Sequence, residues 1–132
     1  MKNIYHIVSK RKTTVSRIYM KKGNGLIKIN KLCLKKYFNN NIYILNKINL
    51  YFIDIKFFEK IKYNFYINIY GGGYNSQIES IIYGITKLLY LYDEKYKILL
   101  KDNNFLRNDC RRVERKKYGR KKSRKKFQFS KR

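Results

Sequence analysis

The dense positive charge of residues 111–132 constrains this chain more than any other feature. Thirteen of these residues are lysine or arginine and Glu114 is the only acid, so their side chains carry a net charge of +12. Because like charges at this density repel one another, the segment cannot collapse into a core of its own. It needs a partner with closely spaced negative charges, and a nucleic-acid backbone supplies them.

The rest of the chain has the composition of one folded domain. Of the 132 residues, 44% are hydrophobic, and residues 1–110 still carry a net charge of +13. That is enough apolar material for a single core, and the apolar periodicity ends near Leu106. The sequence therefore predicts a globular body over residues 1–109 and an extended basic tail over residues 110–132.

Several classes of function lack the residues that they require. No apolar run reaches the roughly 18 residues of a membrane span, so no membrane partner is expected. Two distant cysteines, Cys33 and Cys110, and a single histidine are too few for a Cys/His zinc site, so neither metal nor cofactor is expected. The eight acids form no spaced catalytic pair and no nucleophile motif is present, which predicts that the chain is not an enzyme.

The residue usage bears on the origin of the chain. Alanine, proline and tryptophan are absent, whereas isoleucine, lysine, asparagine, tyrosine and phenylalanine, whose codons are A/T-rich, are abundant. The first twelve residues contain no apolar stretch long enough for a signal peptide. We therefore expect the cytoplasm of a bacterium with an A/T-rich, reduced genome, or an organelle that makes its own proteins.

Runs of β-branched and aromatic residues predict four strands, at residues 4–8, 14–20, 26–29 and 63–70. Lys10-Arg11-Lys12 is predicted to connect the first two strands. Gly23-Asn24-Gly25 predicts a hairpin between the second and the third, because its tight turn needs positive φ angles.

Apolar spacing near 3.6 residues predicts one long helix from Ser76 to Tyr92. Ser76 and Glu79 are predicted to form a capping box, and Gly84 inside the helix indicates a close crossing with another element. Shorter helices are expected at residues 31–38, with Asn30 as N-cap, at 39–49, and at 95–100 after Asp93-Glu94. Residues 50–61 favour neither period.

A series of short motifs follows the same order and spacing as in a known family. They are Arg11-Lys12-Thr13 with Arg17, Gly23-Asn24-Gly25 with Ile29-Asn30, Tyr37-Phe38, Gly71-Gly72-Gly73 with Gln77, Gly84-Ile85, Tyr92-Asp93, and the stretches 113–122 and 127–132. In these the chain resembles the family of the ninth protein of the small ribosomal subunit, of bacterial or organellar type, from about Tyr5 to Arg132. It departs at Ile82-Tyr83, where the family usually has Arg-His.

The resemblance implies a fold and a function. The fold is α+β, a four-stranded sheet with helices packed on one face and a left-handed βαβ crossover, followed by the basic tail. The function is that of a structural constituent of the small ribosomal subunit without enzyme activity. Its implied partners are the ribosomal RNA of the subunit head, neighbouring ribosomal proteins, and the peptidyl-site transfer RNA, which the tail reaches during translation.

Most of the residues assigned to RNA are basic, and the others are glycine, aromatic or small polar residues. Arginine can bind phosphate bidentately and stack on bases, and Tyr118 can stack on an unpaired base. Expected to bind ribosomal RNA are Lys10, Arg11, Lys12, Arg17, Gly71, Gly72, Gly73, Gln77, Arg111, Arg112, Arg115, Lys116, Lys117, Tyr118, Arg120, Lys121, Lys122, Arg124, Lys125 and Lys126. Expected to contact transfer RNA are Ser130, Lys131 and Arg132.

Composition alone leaves an alternative open. A free-standing basic nucleic-acid-binding protein, such as a chromatin or antitermination protein with a basic arm, would have the same charge distribution. Its abundance in sedimented small subunits, at one copy each, would distinguish the ribosomal protein from a free or DNA-bound one.

Overall fold

The structure, a computed structural model, describes residues 4–54, 63–92, 95–102 and 105–132. Strands and helices alternate irregularly along these residues, as in an α+β protein. The elements are β1 (Tyr5–Arg11), β2 (Thr14–Lys22), β3 (Ile27–Ile29), β4 (Leu32–Cys33), α1 (Leu34–Tyr37), α2 (Ile42–Asp54), β5 (Tyr63–Tyr70), α3 (Tyr74–Tyr92) and α4 (Lys95–Asp102).

The strands form one mixed sheet in the order β1-β2-β5-β3-β4. β3 and β5 are parallel and the other neighbours are antiparallel. The α+β class is confirmed, and all four predicted strands are present. A fifth strand, β4, is added at the edge of the sheet, within the segment predicted as the helix of residues 31–38.

That helix begins later than predicted because Asn30 is not its N-cap. Asn30 and Lys31 have φ angles of 47° and 69°, which form a tight turn that pairs Ile29 with Leu32. The Asn30 side chain accepts a hydrogen bond from the Ile69 N–H and donates one to the Ile69 carbonyl, both 2.9 Å long. The amide is therefore committed to β5, and α1 starts only at Leu34 with Cys33 as N-cap.

The predicted hairpin at Gly23-Asn24-Gly25 is wrong. β2 and β3 are not neighbours, because β5 lies between them and pairs with both. Asn64 of β5 holds the connecting loop: its Oδ1 accepts hydrogen bonds from the main-chain N–H groups of Asn24 and Leu26 at 2.9 and 3.0 Å. The loop thus crosses the end of β5 instead of reversing the chain into an adjacent strand.

The tight reversal lies earlier, between β1 and β2. Arg11 pairs with Thr14, so only two residues form the turn, and Lys12 takes a φ of 53° there. The predicted connection Lys10-Arg11-Lys12 is therefore corrected: Lys10 and Arg11 belong to β1.

The long helix also begins two residues before its predicted start. The Gln77 N–H already donates to the Gly73 carbonyl, which places Ser76 inside the first turn. The Ser76 hydroxyl donates to the same carbonyl at 2.8 Å, and Glu79 binds Arg11. The predicted capping box is therefore absent, although the helix itself is confirmed to Tyr92.

Two predictions near the other helices are resolved in part. The helix predicted at 39–49 is α2, which begins at Ile42 and ends at Asp54, while 55–61 of the ambiguous segment lie outside the described residues. The helix predicted at 95–100 is α4, but Asp93-Glu94 lie outside the described residues as well. Among the described helices, none combines the length and apolar character needed to cross a lipid bilayer.

The core lies between α3 and one face of the sheet. Buried side chains alternate along β2 and β5, for example Ile18, Met20, Phe65 and Ile67, and meet buried residues of α3. Gly84 confirms the predicted close crossing. A Cβ atom there would contact Ile18 and lie 2.7 Å from the Ser9 Oγ.

Hydroxyl groups line this crossing. Ser9, Ser16 and Ser80 are each at most 2% exposed and share hydrogen bonds, Ser9 to Ser16 at 2.6 Å and Ser16 to Ser80 at 2.7 Å. Ser9 also donates to the Ser80 carbonyl at 2.6 Å. These small polar side chains satisfy one another, so α3 can approach β1 and β2 closely without leaving a buried hydroxyl unpaired.

Candidate nucleic-acid interface

The tail leaves the body after Leu106 and forms neither helix nor strand. Its apolar side chains face solvent: Val113 is 93% exposed, Phe129 91%, and Tyr118 fully exposed. Side chains of this kind contribute nothing to the core, and they remain available to stack on bases or pack against riboses.

Within the tail, Glu114 and Arg124 close a loop. The Arg124 guanidinium donates two hydrogen bonds to the Glu114 carboxylate, at 2.6 and 3.1 Å. Gly119 at the turn has a φ of 68°, and Arg120 donates to the Arg124 carbonyl at 2.7 Å. The hydrogen bonds from Arg124 hold the pKa of Glu114 below its usual range. The single acid of the tail is thereby used to shape it.

Arg11 holds the start of the tail against the body. Its Nε donates to Glu79 Oε2 at 2.7 Å and its Nη2 lies 3.1 Å from Asp109 Oδ2. Its Nη1 donates to the main-chain carbonyls of Asp109 and Arg111 at 3.3 and 3.2 Å. We call this set of bonds the Arg11 clasp. The Arg11 side chain is only 18% exposed. The clasp therefore occupies the Arg11 donors that were predicted to bind RNA.

The clasp is electrostatically reinforced at Asp109. Hydrogen bonds from the side chain and the main-chain N–H of Arg111 hold the pKa of Asp109 well below its usual range, and the nearby Arg11 charge lowers it further. For a carboxylate with a depressed folded pKa, the stabilisation is present above its unfolded pKa and is lost as the pH falls through the folded pKa.

Replacing Arg11 with glutamine is expected to free the start of the tail, because the change removes the donors to both Asp109 and the main chain. With Cys33 changed to serine, a spin label on the exposed Cys110 reports motion there. We expect a several-fold gain in label mobility in R11Q and none in R17Q, the same change on an outward-facing residue of β2. Equal label mobility in R11Q and the parent would contradict the clasp. In the parent, acid should free the label only well below the usual aspartate pKa of about 4.

The glycine loop and Lys12, both predicted to bind RNA, lie close together. Lys12 and Thr13, Gly72 and Gly73, and Tyr74 line an open pocket of about 460 Å³ beside the first turn of α3. Gly71 and Gly72 have φ angles of 75° and 66°, which only glycine adopts without strain. Gln77 differs from expectation in being 8% exposed, with its amide bonded to the Gly71 carbonyl and the Tyr37 hydroxyl.

Lys10 and Arg17 lie elsewhere, on the side of the sheet opposite α3. We call this side the outer sheet face. Its side chains alternate with the buried ones along the strands, and they include His6, Val8, Lys10, Val15, Arg17, Tyr19, Lys21, Lys28, Asn64, Tyr66, Asn68 and Tyr70. Most of this face was missed by sequence reasoning. The period-two alternation of the predicted strands was the signal that could have located it.

The remaining predicted residues lie along the tail, and all of them are exposed except the half-buried Arg120. Arg111 pairs with Asp109, at 2.8 Å between Nη2 and Oδ2, while the terminal residues Ser130, Lys131 and Arg132 make no hydrogen bond or ion pair with the described part of the chain. Within the described ranges, no three histidine, cysteine or acidic side chains come together as metal ligands. The assignments of individual residues to ribosomal or transfer RNA stay predictions.

Comparison with known proteins gives a consistent result. The family described as Ribosomal protein S9/S16 matches residues 9–132. The chain is 45% identical over 124 residues to the small ribosomal subunit protein uS9 of Borrelia turicatae, covering 93% of this chain and 88% of that protein. It is 42% identical to proteins of the same name from Borreliella burgdorferi, with the same coverage, and from Azobacteroides pseudotrichonymphae, with 98% of each chain covered.

Proposed function

The chain belongs to the ribosomal protein S9/S16 family, and on that premise we propose that it is a structural constituent of the small ribosomal subunit that binds the ribosomal RNA of the subunit head. The family is one of ribosomal proteins and not of enzymes. The relatives compared above are bacterial, which favours a bacterial ribosome as its location. Their names also favour a ribosomal protein over a free-standing nucleic-acid-binding protein.

The observation that carries the proposal is the pairing of a folded body with an exposed, basic tail. Thirteen basic residues lie in a segment without helix or strand, and its one acid is bonded to Arg124. Phosphate contacts need charge and reach, and they need no secondary structure. A chain of this form can bind RNA with its body and follow an RNA surface with its tail.

We assign the two parts different roles. Residues 1–109 form the body, which docks on ribosomal RNA and on neighbouring proteins of the head. Residues 110–132 run between RNA segments, with Arg112, Arg115 and the basic pairs 116–117, 121–122 and 125–126 on phosphates. The Arg11 clasp supports this division because it fixes the direction in which the tail leaves the body.

The tip of the tail, Ser130 to Arg132, is assigned to the peptidyl-site transfer RNA. The basic run before it already suffices for anchoring, so extra charge at the tip serves a second contact. Both Lys131 and Arg132 are exposed and carry no ion pair within the described residues, which leaves them free for transfer-RNA phosphates.

Deleting Ser130 to Arg132 is expected to leave subunit assembly intact and to weaken transfer RNA binding in the peptidyl site a few-fold. Exposed charge contacts of this kind contribute little each and are screened by salt, so the loss should shrink as the salt concentration rises. The measurement is the dissociation of transfer RNA from purified small subunits that carry the shortened or the full-length chain.

A matched control removes the same charge elsewhere. K121Q/K122Q and K131Q/R132Q each lower the net charge by two. The first pair lies at positions assigned to ribosomal RNA, and the second at positions assigned to transfer RNA. We expect only the second pair to reproduce the effect of the deletion on transfer RNA. Equal affinities for the deleted and full-length chains at low salt would remove the tip from this role, and an assembly defect alone would reassign it to anchoring.

A further inference from the structure

The outer sheet face is open along its central strands. Tyr66 is 38% exposed and Tyr70 55% exposed, whereas Phe65, Ile67 and Ile69, which point to the other face of β5, are at most 4% exposed. α3 packs on the other face, where its residues meet β1 and β2 around Gly84. This face therefore offers a surface that the fold itself does not use.

The charge of the outer sheet face has one sign. Four basic side chains project from it, and no strand of the sheet contains an acidic residue. None of the four forms an ion pair with the acids that the structure describes. Because like charges on one face repel one another, the face is complementary to an anionic partner. The four residues are Lys10, Arg17, Lys21 and Lys28.

An aromatic row crosses the same face. The strand register places His6 opposite Tyr19, Tyr19 opposite Tyr66, and Tyr66 beside Lys28. The rings of His6 and Tyr19 are stacked, with centroids 6.0 Å apart and planes at 25°. The Lys21 Nζ lies 5.8 Å from the Tyr66 ring centroid. Aromatic rings with cations close by form the kind of platform on which single-stranded nucleic acids stack.

We propose that the outer sheet face binds an unpaired segment of RNA, with bases on the row of His6, Tyr19 and Tyr66 and phosphates on the flanking lysines and Arg17. The inference rests on the proposed function, since it names the part of the body that contacts RNA and the form of RNA that it takes.

The pattern of the face favours RNA over an acidic protein segment. An unpaired RNA chain carries planar bases beside phosphates, and here a row of rings crosses the strands with Arg17 on one side of Tyr19 and Lys21 on the other along β2. A duplex would present only its phosphates, because its bases are stacked on one another and cannot reach the tyrosines. An acidic peptide would use the charges and leave the row of rings without planar partners.

Photocrosslinking of the full-length chain tests the site directly. The probe is a short uridine oligonucleotide that carries iodouridine, which crosslinks to aromatic side chains stacked on it, and the crosslinked residues are located by mass spectrometry. We expect crosslinks at Tyr19 or Tyr66 with the single strand, and their loss when the probe is annealed into a duplex. Crosslinks confined to Tyr118, Phe127 and Phe129 would overturn the inference and leave RNA binding by the tail, and so the proposed function, in place.

Affinity measurements separate the sheet from the tail. At a salt concentration that weakens phosphate contacts, Y19T/Y66T should bind the uridine probe about ten-fold more weakly or worse, the usual loss when stacking is removed. The matched control is Y19F/Y66F, which keeps both aromatic rings of the row and should therefore change little. Equal affinities for the two variants would refute the site, whereas absence of RNA binding by every chain would refute the proposed function. Binding of a glutamate-rich peptide that K21Q/K28Q loses, with no loss of RNA binding in Y19T/Y66T, would assign the face to a protein partner instead.

Discussion

Replacing Gly84 with valine is expected to lower the free energy of unfolding by about 3 kcal/mol, the upper end of the usual overpacking cost. A Cβ atom at this position would contact the Ile18 side chain and lie 2.7 Å from the Ser9 Oγ. Neither the Ile18 nor the Ser9 side chain can move away easily. Ile18 is fully buried, and the Ser9 hydroxyl is bonded to Ser16 and Ser80. The clash must therefore displace α3 from the sheet and break this hydroxyl network.

The smaller change, Gly84 to alanine, tests the sign of the change in the free energy of unfolding. In an exposed helix this substitution would stabilise by about 1 kcal/mol. Here we expect net destabilisation, because the added methyl group meets a filled crossing. I18V removes the Cδ1 atom that the new methyl would contact, so the double variant G84A/I18V should be more stable than the sum of the two single changes allows.

Urea unfolding followed by circular dichroism, at a salt concentration that screens the tail, measures the stability of the parent, G84V, G84A, I18V and G84A/I18V. The coupling between positions 84 and 18 should favour the double variant by at least about 0.5 kcal/mol. A G84A chain more stable than the parent would show that α3 does not approach the sheet as closely as the structure has it.

Neutralising four lysines of the tail should change the salt dependence of RNA binding more than any substitution in the body. Each phosphate contact contributes about −0.7 to the logarithmic slope of affinity against salt for single strands. Changing Lys121, Lys122, Lys125 and Lys126 to glutamine should therefore flatten the slope by up to about 3. The measurement is fluorescence anisotropy of a labelled single-stranded RNA over a series of salt concentrations.

The control removes the same charge from the body. Lys35 and Lys36 of α1 and Lys97 and Lys101 of α4 are exposed and lie outside the strands, so their change to glutamine alters net charge equally. We expect the slope of this control to stay close to that of the parent. An unchanged slope in the tail variant would place RNA binding in the body.

Sequence patterns located the elements that depend on local order. β5 was predicted at its observed bounds because buried and exposed residues alternate along it, and α3 was predicted because its apolar residues recur with the helical period. Such patterns are local, and they remain correct whatever the neighbouring elements are.

The predictions that failed concern partners distant in sequence. Asn24 suggested a hairpin, but Asn64, forty residues later, holds the loop across the end of β5. Glu79 fitted a capping box with Ser76, yet its carboxylate binds Arg11, 68 residues away. Arg11 itself is chemically no different from the other basic residues, and only the fold shows that it clasps the tail. No local signal distinguishes these partners.

β5 is the last strand of the sheet to be synthesised, and it lies in the middle of the sheet, between β2 and β3. During synthesis, β1 and β2 emerge as one hairpin and β3 and β4 as another, each with an unpaired edge that only Tyr63–Tyr70 can join. Until then both edges offer main-chain hydrogen bonds to any other nascent chain. Lys21, Lys22 and Lys28 lie along those edges, and their charge opposes pairing between two copies. These three lysines therefore oppose edge-to-edge association of the incomplete chain between its synthesis on one ribosome and its assembly into another.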